Sequence, residues 1–565
     1  MGDYVFCTFY LLLFSFIVLK ANLFKLPGLN NRYTLFAFYL KLLFGIALWY
    51  IYTYHYKNRD TSDIFKYYDD GKLMFQTIHT GFGNFLKMFT GIGDSSPEIQ
   101  GYYHSMKSWI NGHDSTLYNN SHFIIRFNAL LMFFSGGHYT VYIIVMCFIA
   151  LCGLCYLYKA FYPFLTDTPK LLFAAVFLFP SVLIWSSGDL KEVFVFLGLG
   201  VSIYYGTQIT RMQRVSTDKT ISENQDRTRT TRMEQINTDK IISVDPPNQC
   251  YPCSIVLIVL AFILIFESKA YILLCILPGF IAEFLVSKVK IANRFTWLTY
   301  IIVTALYLLI GLNINKVYPG INPIATLSDK QQEFMRLAKG GIYLAVAKDE
   351  TQYAYIPVED SVNILPANPY ADSLLHKHGI QYLTSAAFCY KEEQAKKIAP
   401  YWLKAGQPFD LIRHSTNDTL HLVANDSTVY RLDTYIETAK SRIDVPLLKP
   451  TLSGLIDYIP TALTNTLFRP YPHELHSSAT IIVFAENVVF LLLGFFAFAF
   501  MRRNNPNRNM VAFCLGYCLL MLVLIGISTP LYGGIERYKS VVIPFMLILL
   551  LLIYDKDKFK RTLKK

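Results

Sequence analysis

The chain has 565 residues, 53% of them hydrophobic and 16% aromatic, with a positive mean hydropathy. So much apolar sequence, gathered into separate long runs, excludes an ordinary soluble globular protein. The net charge of +12 sits largely in short connections and in the final segment, with no basic–aromatic groove motif beside it. That placement sets topology and touches anionic lipid, and it excludes nucleic acid as a partner.

In chain order, the apolar stretches are 4–23, 34–54, 139–160, 171–187, 190–206, 254–267, 270–287, 296–314, 480–501, 509–529 and 540–554. Each approaches the ~20 residues a bilayer-spanning helix needs. The expected fold is an all-α polytopic membrane protein of about 11 transmembrane helices, N-terminus out and C-terminus in, with a small α+β extracytoplasmic domain. The first stretch lacks a basic n-region and a small-residue cleavage site, so it reads as a retained helix. Residues 1–54 hold two spans, and 55–137 form an exported acidic loop whose apolar end, 123–134, is an interfacial or re-entrant helix. Spans follow over 138–206. Residues 207–253 are a polar cytoplasmic loop, expected to be disordered, with a crude duplication of 212–222 at 233–243. Further spans occupy 254–314, an exported domain fills 315–479, and 480–565 hold the last spans and a basic tail. Within the exported domain, 331–339 and 452–467 read as helices, and 419–423 and 428–432 as strands around an Asn425-Asp426 turn. The lone Cys250-Tyr-Pro-Cys253 lacks a second ligand pair, and the sequons at Asn119, Asn417 and Asn425 are chance triplets of polar loops.

Short basic connections belong to the cytoplasm, and alternate threading then puts the remaining charged clusters on one exported face. The first is Asn58-Arg-Asp60-Thr-Ser-Asp63-Ile-Phe-Lys-Tyr67-Tyr-Asp-Asp70. On one helix, Asp60, Asp63, Tyr67 and Asp70 form a stripe, either a solvated face or a set of carboxylates whose lowered dielectric lifts their pKa toward that of a general base. The second is Pro180-Ser-x3-Trp185-Ser-Ser-Gly-Asp189-Leu-Lys191-Glu192, a tight turn in which an ionisable pair opens a span, costly unless buried against partners. Glu267-Ser-Lys269 and Glu536-Arg537-Tyr538-Lys539 repeat the pattern. Lys191, Lys269, Arg537 and Lys539 all run against the positive-inside bias, so convergence on an anion accounts for them together.

These features resemble the GT-C superfamily of membrane glycosyltransferases: an acidic, Tyr-containing stretch opening an exported loop, an Arg-Tyr-Lys before a late span, and a late exported domain. The Pro-Ser-x3-Trp-Ser-Ser-Gly-x2-Lys-Glu segment looks like one in a poorly characterised bacterial branch. The family places its acidic loop after the first span; here it follows the second. The resemblance implies a sugar donor linked to a polyprenyl phosphate, an extracytoplasmic glycan or lipid acceptor, and residence in the bacterial inner membrane. It implies Asp60 or Asp63 as base, with Lys191, Lys269, Arg537 and Lys539 holding the donor phosphate. Tyr67, Arg126, Trp185, Glu192, Glu267, Glu486 and Tyr538 would support the site, and a divalent metal ion is a possible addition. Rival readings are a polysaccharide polymerase or flippase, a transporter, and a non-enzymatic scaffold; the gathering of ionisable groups at one surface weighs against a transporter.

Overall fold

Backbone N–H and C=O groups in hydrocarbon find no partners outside their own segment, so apolar runs of this length fold as helices. The computed structural model describes residues 2–55, 59, 62–109, 119–224, 251–339, 439, 441–503 and 505–563, with strand segments between 341 and 432. Six of its helical segments are long and apolar enough to cross a membrane: Asn31–Tyr54, Tyr139–Phe164, Lys191–Arg211, Pro252–Lys288, Thr480–Ala499 and Arg508–Ser528. The chain is therefore an integral membrane protein with a mainly helical architecture. Shorter apolar helices cover Tyr4–Lys20, Ser121–Ser135, Thr296–Leu312 and Ile543–Ile553.

Several expected spans take a different form. The stretch 171–187 is two short helices, Pro169–Phe177 and Pro180–Trp185, because Pro180 has no N–H to continue the first and sits instead at the start of the second. The stretches 254–267 and 270–287 join end to end as Tyr251–Lys288, kinked at Lys269, whose backbone is extended (φ −156°, ψ 87°). The helix starting at Lys191 runs on to Asn224, into the segment expected to be disordered from 207; the duplicated copy at 233–243 lies outside the described residues.

The two helices expected within 315–479 are close to expectation, at Pro323–Lys339 and Leu452–Leu467. Strands occur at Thr419–Leu422 and Tyr430–Leu432, but they do not form a hairpin. The first pairs with Phe409–Arg413, and the second lies between Gly341–Val346 and Tyr401–Leu403. Alternation marks a strand but does not choose its partner.

The bundle is held by close backbone approach. A Cβ on Gly200 would sit 2.0 Å from the Gly153 carbonyl oxygen, and one on Gly153 would sit 2.4 Å from that of Phe196. Helices Tyr139–Phe161 and Lys191–Asn224 therefore touch through small residues, the usual device where no hydrophobic force drives association. Because a backbone oxygen cannot yield as a side chain can, Gly200→Val is expected to cost about 3 kcal/mol or more. Size-exclusion chromatography in detergent should show loss of the folded, monodisperse species. Gly311→Ala, where nothing lies within 4 Å of the added carbon, should leave the profile unchanged. Equal behaviour of the two variants would refute the close-packing argument.

Candidate functional site

The helix that begins at Asp63 brings the acidic stretch to the bundle (α1, Asp63–Gln76). Asp60 lies outside the described residues. The expected stripe divides: Asp63 and Tyr67 turn toward the charged cluster, whereas Asp70 accepts the backbone N–H groups of Lys107 (2.9 Å) and Ser108 (2.7 Å). Burial pushes Asp70 up to about 6 despite those two bonds, yet its carboxyl is committed to fixing a loop. Asp69 accepts a bidentate pair of bonds from one edge of the Arg59 guanidinium, Nε at 2.8 Å and Nη2 at 2.6 Å.

Arg537 is the centre of the cluster. It lies on the short helix Tyr532–Lys539 (α3), and Glu192 opens the long helix Lys191–Asn224 (α2). Arg537 Nε donates to Glu192 Oε1 at 2.6 Å and Nη2 to Oε2 at 3.3 Å, while Nη1 reaches Asp63 Oδ2 at 2.5 Å. Lys269, displaced from its helix by the kink, donates to Glu192 Oε1 at 2.6 Å. Aromatic faces wall the cluster: Lys269 Nζ stands 4.1 Å from the Tyr538 ring centre, and Arg537 Cζ stands 5.9 Å from that of Trp185. Cations over such rings gain about 1–2 kcal/mol when desolvated.

Lys191 completes the group in a different way. Its ammonium, on a residue 6% exposed, donates to Asn120 Oδ1 (2.6 Å) and Ser121 Oγ (3.1 Å) and lies 5.0 Å from the Tyr67 ring centre. Among the described residues it has no carboxylate at ion-pair distance. Three basic side chains, Lys191, Lys269 and Arg537, thus meet two carboxylates, Asp63 and Glu192, so this largely buried space holds one basic group more than it has acids to pair with.

Electrostatics correct one expectation. Burial acts to raise Asp63, but the Arg537 guanidinium beside it outweighs burial and holds the carboxyl below its usual value. The resting Asp63 is therefore an ion-paired carboxylate, without the lifted pKa expected of a general base. Arg537 is raised above its ordinary value, with burial opposing and Glu192 and Asp63 prevailing. Burial pushes the Tyr538 phenol up to about 12 and raises that of Tyr67 well above its ordinary value, so neither ionises at neutral pH.

Lys539 is placed apart from the other cations. It faces the opposite side of its helix, paired with Glu536 (2.5 Å) and donating to Asn487 (2.7 Å). There Glu486 accepts the Ser181 N–H at 2.8 Å and a very short bond from its hydroxyl, which also lies 3.2 Å from Glu536. This second buried network locks the Pro180 helix to the Arg537 helix. Arg126 lies over Trp109 at 5.3 Å, in a stack with Tyr103 and His122, and Glu267 is half-buried two residues before the kink. Among the described residues, no three His, Cys, Asp or Glu side chains gather as a metal cluster would.

Lys41 was not singled out from the sequence. It is fully buried, and it donates to the Ser186 carbonyl at 2.8 Å and to the Ser186 hydroxyl, holding the turn that precedes Lys191. A lysine in the middle of the apolar stretch 34–54 was the available signal. The chain matches no family profile, no curated protein and no solved structure.

Proposed function

We propose that the chain is a membrane glycosyltransferase that moves a sugar from a polyprenyl-phosphate-linked donor to an extracytoplasmic glycan or lipid acceptor. The observation that supports this reading is the buried basic group in excess: Lys191, held only by neutral oxygens beside Arg537, either gives up its proton or is completed by an anion. A lipid phosphate at the membrane surface supplies that charge.

In this reading the phosphate engages Lys191 and the outer edge of Arg537 and competes with Asp63 for the guanidinium. Asp63, whose side chain is 38% exposed, gives way; Glu192, at 0% and also bonded to Lys269, stays. Freed from Arg537, Asp63 gains proton affinity as the acceptor arrives. It takes the acceptor hydroxyl proton while the oxygen bonds to the anomeric carbon. The carbon–phosphate oxygen bond breaks, and its electron pair leaves with the phosphate, steadied by Arg537 and Lys191. Direct displacement inverts the anomeric centre. No step is assigned to a metal ion, because the two carboxylates in the cluster are already bound by cations. The low resting proton affinity of Asp63 favours one second reading, a lipid-linked sugar polymerase or flippase that binds the same headgroup without an Asp base.

Lys191→Met separates anion binding from folding. Removing an unpaired buried charge should leave the melting temperature unchanged or raise it, while affinity for farnesyl phosphate falls by about 10-fold or more. Binding measured calorimetrically in detergent at wild-type strength would overturn the headgroup assignment. For the reaction itself, deletion of the chain should make a lipid-linked sugar accumulate at the expense of its glycan product, and an unchanged lipid extract would reject the transferase reading.

A further inference from the structure

Asp189 and Asn128 meet in the packed interior beside the charged cluster, and the mechanism above uses neither. Asp189 lies in the turn after Trp185, two residues before Lys191, and Asn128 lies on the helix Ser121–Ser135. Both are fully buried. Asn128 Nδ2 donates to Asp189 Oδ2 at 2.6 Å, but Asp189 Oδ1 and Asn128 Oδ1 are buried with no hydrogen-bond donor. Leaving two buried oxygens unsatisfied costs about 1–3 kcal/mol each. A single proton on Asp189 removes both deficits, because the acid O–H then donates to the amide oxygen while the amide N–H donates to the acid.

The surroundings agree with a neutral acid. The titratable groups that face it are the phenols of Tyr139 and Tyr142, and no cation acts on it. Burial pushes Asp189 up to about 8, opposed only by its bond to Asn128. The pair also joins the elements that carry the site. A Cβ on Gly71 of α1 would fall 2.6 Å from Asn128 Cβ, Tyr142 donates to the Asn128 carbonyl at 2.8 Å, and Asp189 leads directly into Lys191.

We propose that Asp189 stands as an un-ionised acid bonded reciprocally to Asn128, and that this neutral clasp positions α1 and the start of α2 so that Asp63, Lys191 and Glu192 face one anion. Asp189 is thus a positioning residue. Its protonation is independent of the proposed function; its effect on binding rests on that reading.

Asp189→Asn tests the clasp, since two amides can form the same reciprocal pair without a proton. The native acid holds a proton that the unfolded carboxylate releases near pH 4, so wild-type stability should fall between about pH 4 and pH 8 relative to Asp189→Asn and run parallel above that. The infrared band of a protonated carboxyl should weaken in Asp189→Asn. Farnesyl phosphate affinity should stay within about 2-fold in Asp189→Asn and drop about 10-fold in Asp189→Ala and Asn128→Leu. Identical pH slopes for wild type and Asp189→Asn would overturn the protonated clasp. An affinity loss in Asp189→Asn equal to that in Asp189→Ala would overturn its positioning role. If the wild type binds no farnesyl phosphate, the anion reading fails, while the pH slopes still decide the clasp.

Discussion

Arg537→Ala is expected to lower the stability of the folded protein by about 3–5 kcal/mol and to abolish sugar transfer. The size follows from what is left behind. Glu192 has a fully buried side chain and keeps only Lys269, while Asp63 loses its sole described ion pair. Arg537→Lys keeps the charge but not the fork that spans both carboxylates, so it should fall between wild type and alanine. A double-mutant cycle with Asp63→Ala isolates the Asp63 contribution. A coupling of about 0.5–3 kcal/mol is the usual range for contacting residues, and the partial exposure of Asp63 places this pair toward its lower end. Thermal unfolding in detergent, read by intrinsic fluorescence, is the measurement. If Arg537→Ala melts within a degree of wild type, the buried network is not a structural centre, and the excess-charge argument loses its basis.

What could be read from the chain, and what could not, divides by the range of the interaction. The apolar stretches declared themselves because lipid leaves a backbone no alternative to internal hydrogen bonding. The four cations placed against the positive-inside bias stood out one by one, and three of them, Lys191, Lys269 and Arg537, come together in space. Lys539 follows Arg537 by only two residues, but on a helix that spacing turns a side chain to another face; it joins Glu536 instead. Nor could spacing show that Asp70 spends its carboxyl on two backbone N–H groups 37 and 38 residues away. The largest omission was the number of holds on the segment 180–192. Ser181 is gripped by Glu486, Ser186 by Lys41, Asp189 by Asn128, Lys191 by Asn120 and Ser121, and Glu192 by Lys269 and Arg537. Those partners come from five separate parts of the chain. Broken helices at membrane depth are tolerated where protein buries them, and this turn is buried almost throughout. The Pro-Ser-x3-Trp-Ser-Ser-Gly-Asp-x-Lys-Glu segment was legible as unusual, but only the folded chain makes it the point where the helices are tied.

Asp63→Asn should reduce transfer by about 10²–10⁴-fold with little change in stability. Asparagine keeps the shape and an oxygen for Arg537 but cannot accept the acceptor's proton, and the lost ion pair is partly solvated, so its contribution to folding is small. Binding of farnesyl phosphate should persist or tighten, because the phosphate no longer competes with a carboxylate for the guanidinium. The pH dependence carries the sharper test. In the free protein Arg537 holds Asp63 below the usual carboxylate range, so kcat/KM should show no Asp63 limb near neutrality. Once donor phosphate has displaced Asp63 from Arg537, its proton affinity rises, and the acid limb of kcat should lie at higher pH than that of kcat/KM. That separation should vanish in Asp63→Asn. Full retention of transfer in the variant would remove the base from the mechanism and leave the same cationic site to a polymerase or flippase, in which the headgroup is held and moved but no hydroxyl is deprotonated by this aspartate.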